Sequence, residues 1–334
     1  MDNQKIKTSI IGTGHLGTIH CRLLKKNPLA EFVGIYDKDD EKAKQISQEL
    51  NIKKFNTIEE LLQYSEAVFI VVPTTLHFEI AKKCLEHDKH CFIEKPVTST
   101  TQQAKELLNI EKNKPYLTIQ VGHIERFNPT IETLIKNPIS PLFIESHRLS
   151  QFKLRAIDVS VIHDLMIHDI DLVLWLVNSP IKSIDANGVK VVTNTIDIAN
   201  ARIKFENGTV ANLTSSRISA KPMRKMRFFQ KSGYFSLDFT TPSIEIFKLT
   251  KELPSTSNTE NIATMLGGIE ELKLNKHIIF EKPRITPSNA IQEEQTSFLT
   301  SIINKKVPMV SLIEGYRALE VAEEISNQIN NSCQ

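Results

Sequence analysis

The chain has 334 residues, with 41 Lys and Arg against 39 Asp and Glu and a formal net charge of +2. That balance favours neither nucleic acid nor an anionic membrane as partner, and the length predicts two domains rather than one core. Cys21, Cys84, Cys91 and Cys333 show neither paired nor metal-ligand spacing, no apolar run has membrane-spanning length, and "MDNQKIKTSII" enters a strand pattern at once instead of a signal peptide. A reduced, cytoplasmic protein is expected.

Residues 5–11 form a short β-rich run, followed by "GTGHLG" (12–17) and helical spacing over 18–27. A second strand is expected over 31–37 and a polar-faced helix over 38–50. "EAVFIVVP" (66–73) is apolar throughout, as suits a parallel strand covered on both faces. A helix over 75–87, a strand over 90–96, a helix over 100–113 and a strand over 116–122 complete the series. Strands alternating with helices predict an α/β Rossmann domain, a doubly wound parallel sheet, over residues 1–122.

From residue 123 the pattern changes. One long helix contains "DLMIHDIDLVLWL" (164–176), and β-type segments follow at 181–192, 197–205, 209–218, 224–231 and 233–239, with Asn207-Gly208 as a hairpin turn. The stretch 255–268 has few apolar anchors and reads as a mobile loop, and helical patterns over 287–304 and 311–330 close the chain. No internal repeat is visible. Residues 123–334 are expected to form an α+β domain with an open, mainly antiparallel sheet and helices on one face.

Gly12-x-Gly14-x-x-Gly17 follows a strand, opens a helix and is trailed by Asp37 at the end of the next strand, the context a dinucleotide fingerprint requires. Gly12 permits the tight turn, Gly14 lets a pyrophosphate approach, and Gly17 lets helix and strand pack; His15 and Leu16 fall in the same loop. The competing reading is a glycine-rich turn without ligand. Asp37 would accept from ribose hydroxyls and repel a 2′-phosphate, favouring NAD, although Lys38 beside it keeps NADP open. "EKP" (94–96) lies just past a parallel strand's C-terminal end, where ligands of open α/β sheets bind, so Lys95 is either a site residue or a surface strand-end lysine.

At about 100° per residue, Asp164, His168 and Asp171 share a helical face, with Trp175 below and Asp169 turned away. Charged groups on an otherwise apolar helix need partners or a function. A structural His–Asp pair is one alternative. An i, i+4 metal site is another, but no convincing further ligands accompany it, and no metal is expected.

Gly12–Gly17, "VVPTTLHFEIA" (71–81), "FIEKP" (92–96) and "DLMIHDIDLVLWL" together resemble the glucose-fructose oxidoreductase, inositol dehydrogenase and rhizopine-catabolism (Gfo/Idh/MocA) family, in its order and across both domains. The resemblance implies an NAD(P)-dependent oxidoreductase that moves hydride between nicotinamide C4 and a sugar or polyol carbon. It matches Lys95 to the family's EKP lysine, Asp164 to its aspartate and His168 to the histidine four residues later. Pro73, Thr74 and His77 match a loop against the cofactor, and Glu94 and Lys95 join the same set. The polar helix face should then look into the cleft between the domains. His168 suits a general base because its reference pKa is near neutrality, Asp164 can orient it, and Lys95 can stabilise developing alkoxide charge. Lys95 is the other candidate base. Asp171 is expected to bind a substrate hydroxyl.

"QVGHIERFNP" (120–129) and "RLSQFKLRAIDVSVIHDL" (148–165) resemble the branch that includes UDP-N-acetylglucosamine 3-dehydrogenases. Arg126 and Asn128 are expected to recognise phosphate or sugar amide groups, with a helix start capped by Asn128 as the alternative. Arg148 and Arg155 would supply charge for a pyrophosphate or form salt bridges. Three functions follow: a nucleotide-sugar 3-dehydrogenase, a free-polyol or free-sugar dehydrogenase, or a nucleotide-sensing regulator on the same fold. The Lys95, Asp164 and His168 set argues against the regulator. A homo-oligomer, dimer or tetramer, is expected through the outer face of the second sheet.

Overall fold

The computed structural model of the protein describes residues 5–153, 159–250, 264–268 and 277–332. Its N-terminal part alternates β1 (Ile6–Ile11), α1 (His15–Leu24), β2 (Ala30–Tyr36), α2 (Asp40–Leu50), α3 (Ile58–Tyr64), β3 (Ala67–Ile70), α4 (His77–Glu86), β4 (His90–Glu94), α5 (Thr101–Asn113) and β5 (Ile119–Gly122). The five strands pair in parallel in the order β2-β1-β3-β4-β5. All four residues of β3 are buried, because helices cover both faces of a parallel sheet. The order reverses between β1 and β3, so a crevice opens beyond their C-terminal ends. Helix α3 was not anticipated. Its start is nevertheless written in Thr57 and Glu60: the Thr57 hydroxyl accepts the Glu60 N–H at 3.1 Å, and the Glu60 carboxylate accepts the Asn56 N–H at 3.2 Å.

A second compact unit begins at Glu125. It contains α6 (Pro129–Leu134), β6 (Phe143–Leu149), a π-helical turn (Ile162–Met166) continuing into α7 (Ile167–Val177), and then β7 (Ile181–Val189), β8 (Ile198–Phe205) and β9 (Val210–Ser216). The hairpin between β8 and β9 turns at Asn207-Gly208, with Gly208 at φ 87°. Next come β10 (Met223–Gln230), β11 (Gly233–Asp238), β12 (Ser243–Thr250), β13 (Thr264–Gly268) and β14 (His277–Glu281). Among the described residues these strands make a nine-stranded sheet, β13-β14-β12-β11-β10-β6-β9-β8-β7, antiparallel except where β6 meets β9. The loop expected over 255–268 is corrected at its end: Thr264–Gly268 pairs with β14, an edge position that asks more of backbone hydrogen bonds than of apolar side chains. The rest of that stretch lies outside the described residues.

One face of this sheet is core, where Phe228 and Phe235 stack at 4.7 Å. The other carries a row of directly paired rings across five strands: Phe143–Phe229 at 6.1 Å, Phe229–Tyr234 at 4.7 Å, Tyr234–Phe247 at 5.4 Å and Phe247–Phe280 at 4.9 Å. Phe229 in this row is 43% exposed.

The chain ends with α8 (Ala290–Asn304) and α9 (Leu312–Ser332). Residues Asn289–Glu320 pack with the N-terminal unit, and only the part of α9 from Val321 belongs to the second. This differs from the boundary expected at 122/123. The cause is the buried side of α8, where Phe298, Leu299 and Ile302 enter the cluster of Ile10, Phe69 and Phe92. The Phe298 ring meets Phe69 at 5.3 Å and Phe92 at 6.0 Å. Among the described residues no helix is long and apolar enough to cross a membrane.

Candidate active site

The loop from β1 to α1 is shaped by its glycines. Gly12 has φ 101°, and a Cβ there would strike the Val71 carbonyl oxygen; a Cβ on Gly17 would strike the Gly12 carbonyl oxygen. Both are needed for the chain's own packing. Gly14 differs: its φ is −61° and a Cβ would meet nothing within 4 Å. It faces a cavity of about 840 Å³ lined by Gly12, Gly14, His15, Leu16, Gly17 and Asp37, among others. No side chain caps the N-terminus of α1, so its first N–H groups and the helix's positive end remain available to an anion beside Gly14. These features fit a dinucleotide pyrophosphate.

Asp37 stands across this cavity at the end of β2. Its Oδ2 accepts the Thr13 N–H at 2.5 Å and hydroxyl at 2.8 Å, and its Oδ1 accepts the Asp39 N–H at 2.9 Å. A carboxylate has about four acceptor positions, so one is left for a ribose hydroxyl. Tyr36, Asp39, Lys42, Ile58, Leu76 and Ile80 also line the cavity and were not anticipated. They arrive from the end of β2 and the starts of α2, α3 and α4, and the capping residues Asp39 and Thr57 were the available signal.

Among the expected cofactor residues beyond the glycine loop, Pro73 lines the cavity and Thr74 opens a short 3-10 turn, Thr74–Leu76. His77 is buried, with Nδ1 2.8 Å from the Pro96 carbonyl oxygen and Nε2 2.9 Å from that of Val72. Burial pushes its pKa down against the pull of the two carbonyls. Its expected cofactor contact is therefore corrected to a brace joining the loops after β3 and β4. Glu94 is likewise turned inward: Oε1 meets His20 Nε2 at 2.9 Å and Oε2 accepts the Lys95 N–H at 3.3 Å. Gln295 of α8 donates to His20 Nδ1 at 3.0 Å and to the His20 carbonyl at 3.1 Å, which leaves Nε2 as the imidazole donor toward Glu94. Lys95, half-buried at the mouth of β4, thus follows a residue anchored from below.

In the second unit, Asp164 lies in the π-helical turn and His168 in the first turn of α7, both half-buried. Such turns recur at functional sites. The other acids of the motif are buried and paired. Asp171 receives Arg126 Nε at 2.8 Å and Nη2 at 2.7 Å. Asp169 receives Arg148 Nε at 2.8 Å and Nη2 at 3.0 Å, while Arg148 Nη1 reaches Glu125 at 2.7 Å. Burial would lower the Arg148 pKa, but the Asp169 and Glu125 carboxylates outweigh it and raise it. Arg126 also stacks its guanidinium 5.0 Å from the Trp175 ring.

Sequence profiles then agree on both halves of the chain. Residues 6–123 match the oxidoreductase family with an NAD-binding Rossmann fold, and residues 143–236 match the GFO/IDH/MocA C-terminal domain. A UDP-N-acetylglucosamine 3-dehydrogenase of Acidithiobacillus ferrooxidans is 38% identical over 243 residues, 72% of this chain and 77% of that protein. The chain belongs to the Gfo/Idh/MocA family. A solved structure of the Acidithiobacillus enzyme superimposes with TM-score 0.87 at 31% identity, covering 99% of each chain. The scyllo-inositol dehydrogenase of Lactobacillus casei shares the fold, with TM-score 0.78 at 20% identity over 99% of this chain and 98% of that one.

As a Gfo/Idh/MocA oxidoreductase the protein uses an NAD-type cofactor and acts on a CH–OH group. When bound, that cofactor supplies the hydride-accepting carbon. Three expected substrate contacts of this family member change meaning. Arg126 and Asp171 are paired with each other, and Asn128 caps α6 by accepting the Thr130 N–H at 3.0 Å while donating to Glu125 at 3.2 Å. Arg148 is a buried ion-pair partner rather than a pyrophosphate ligand. Arg155 lies outside the described residues. Among the described residues, no group of three or more His, Cys, Asp or Glu side chains is arranged to hold a metal ion.

Proposed function

We propose that the protein oxidises the 3-hydroxyl of UDP-N-acetylglucosamine, or of a related nucleotide sugar, with NAD. The observation that carries this reading is the full-length likeness to the Acidithiobacillus enzyme, at an identity well above that to the inositol dehydrogenase. In this reading His168 takes the hydroxyl proton, Asp164 orients its ring and steadies the cation, and Lys95 donates a hydrogen bond to the reacting oxygen. Lys95 as the base is the variant to be tested against it. A UDP group offers two phosphates and a uracil whose binding energy can position C3.

Oxidation to the ketone is held back by equilibrium unless the product is consumed. The test therefore incubates enzyme, NAD and UDP-N-acetylglucosamine with an aminotransferase and an amino donor, and follows the sugar by mass spectrometry. A 3-keto or 3-amino sugar is expected. No such product, together with ready NAD reduction by myo-inositol, would replace the reading with the polyol one, which inositol dehydrogenases among the relatives keep in view. Lys95→Ala and His168→Ala should each lose about 10²–10⁴-fold in turnover while binding NAD almost normally. Near-normal turnover in His168→Ala would remove it from the mechanism. The aromatic row on the outer sheet face supports the homo-oligomer; Phe229→Lys should shift the species in light scattering toward the monomer, and an unchanged mass would exclude this face.

A further inference from the structure

The acids that flank His168 on α7 are held from two directions. Asp169 is gripped by Arg148 of β6 and Asp171 by Arg126, just before α6, each through two parallel N–H···O bonds of 2.7–3.0 Å. Arg126, Arg148, Asp169 and Asp171 are each at most 2% exposed. At about 100° per residue the two acids project about 160° apart, with His168 on the arc between them. Upstream, the π-turn interrupts regular α-helical bonding, so the start of α7 is not aligned by its own backbone alone.

We propose that Arg126 and Arg148 are positioning residues: the clamps Arg126–Asp171 and Arg148–Asp169 set the roll of α7 about its axis, and through it the aim of His168. Stability alone does not account for them, because an apolar pair of similar volume usually serves a core as well as a buried ion pair or better. What the guanidinium fork adds is direction, since its bonds lie in one plane. Direction matters here. At the helix surface, ~5–6 Å from the axis, a roll of about 10° moves a ring by about 1 Å, and a displacement of that size can cost about 10²-fold in rate. Arg126 and Arg148 thereby act on the reaction through α7. The inference rests on His168 being the base.

The test replaces one clamp by an apolar pair, Arg126→Met/Asp171→Val, and compares it with Arg126→Lys, which keeps the charge and loses the fork. Turnover is measured with NAD and UDP-N-acetylglucosamine, or with myo-inositol if the wild-type protein oxidises that instead. The apolar pair is expected to melt at or above the wild-type temperature and bind NAD with unchanged affinity. Its kcat should fall about 10–100-fold, and adding His168→Ala should cost less than it does in the wild-type protein, because residues acting as a unit are not additive. Arg126→Lys should move kcat in the same direction. Independently of turnover, the His168 ring resonances in ¹³C-histidine-labelled protein, assigned with His168→Gln, should shift or broaden in the apolar pair. Wild-type kcat and unaltered His168 resonances in a folded apolar pair would overturn the clamp, with His168→Ala inactive in the same assay. If His168→Ala itself turns over normally, the base assignment has failed, and the clamp falls with it.

Discussion

Gly12 and Gly14 belong to one motif but answer to different neighbours, and substitution should separate them. Gly12→Ala forces a side chain into the Val71 carbonyl at a positive φ, so a large loss of thermal stability is expected. Gly14→Ala has room and an ordinary φ; its stability should hold or rise slightly, by about 0.4–1 kcal/mol, while NAD binding weakens because the new methyl fills the phosphate approach. Calorimetric melting and NAD titration of both variants check this, and undiminished NAD affinity in a folded Gly14→Ala would mean that the pyrophosphate passes elsewhere. Asp37→Ser should raise the kcat/KM ratio of NADP over NAD by removing the carboxylate that faces a 2′-phosphate. Because Asp37 also holds the Thr13 N–H and hydroxyl, some stability should be lost too, about 1 kcal/mol. An unchanged cofactor ratio would confine Asp37 to bracing the loop.

The connection from β7 to β8 folds around one carboxylate. Asp197 Oδ2 accepts the N–H groups of Val191, Val192 and Thr193 at 2.8, 2.7 and 2.9 Å, and Oδ1 accepts the Thr193 hydroxyl at 2.7 Å. Burial alone would raise its pKa; the hydrogen bonds win and hold it at about 2. A folded-state pKa below the unfolded value of about 3.9 means a contribution fully present above the unfolded pKa and lost as pH falls through the folded one. Asp197→Asn should therefore cost about 1–2 kcal/mol at pH 7, and the gap to wild type in urea midpoint should narrow as pH drops toward 2. A gap independent of pH would mean that the charge is irrelevant there. At this scale the local signals were legible: the glycine loop, the Asn207-Gly208 hairpin, and the α6 start at Asn128 and Pro129, each decided within a few residues. β12 lies beyond the last expected segment although Ile244 and Ile246 alternate toward the core, because Thr240-Thr241-Pro242 interrupts the β pattern ahead of it. The pairings of Asp169 and Asp171 were not legible. Their partners lie 21 and 45 residues away, and helical periodicity shows which face an acid occupies without showing which arginine meets it.

For the whole molecule, the parallel sheet followed from alternating strands and helices and the mainly antiparallel one from strands in succession, but the division into units did not. The spacing of α8 marks an apolar side without naming the core that receives it. Burying Phe298, Leu299 and Ile302 contributes roughly 1.5–3 kcal/mol each, together a large part of the 5–15 kcal/mol typical of a folded protein. A fragment ending at Gly122 should therefore melt without a cooperative transition and fail to bind NAD, whereas the same fragment joined by a flexible linker to residues 289–320 should do both. A sharp melt and normal NAD binding by the short fragment would show the first unit to be self-sufficient.

The return of α8 to the first sheet also bears on how the protein is made. A ribosome extends the chain at roughly 5–20 residues per second, so the strands carrying Phe69 and Phe92 wait on the order of ten to forty seconds for Phe298 to emerge. Throughout that interval the nascent cofactor-binding unit presents an uncovered aromatic surface. Its strands are made well before the helix that completes their core, which leaves the unit open to chaperone capture and to aggregation during synthesis.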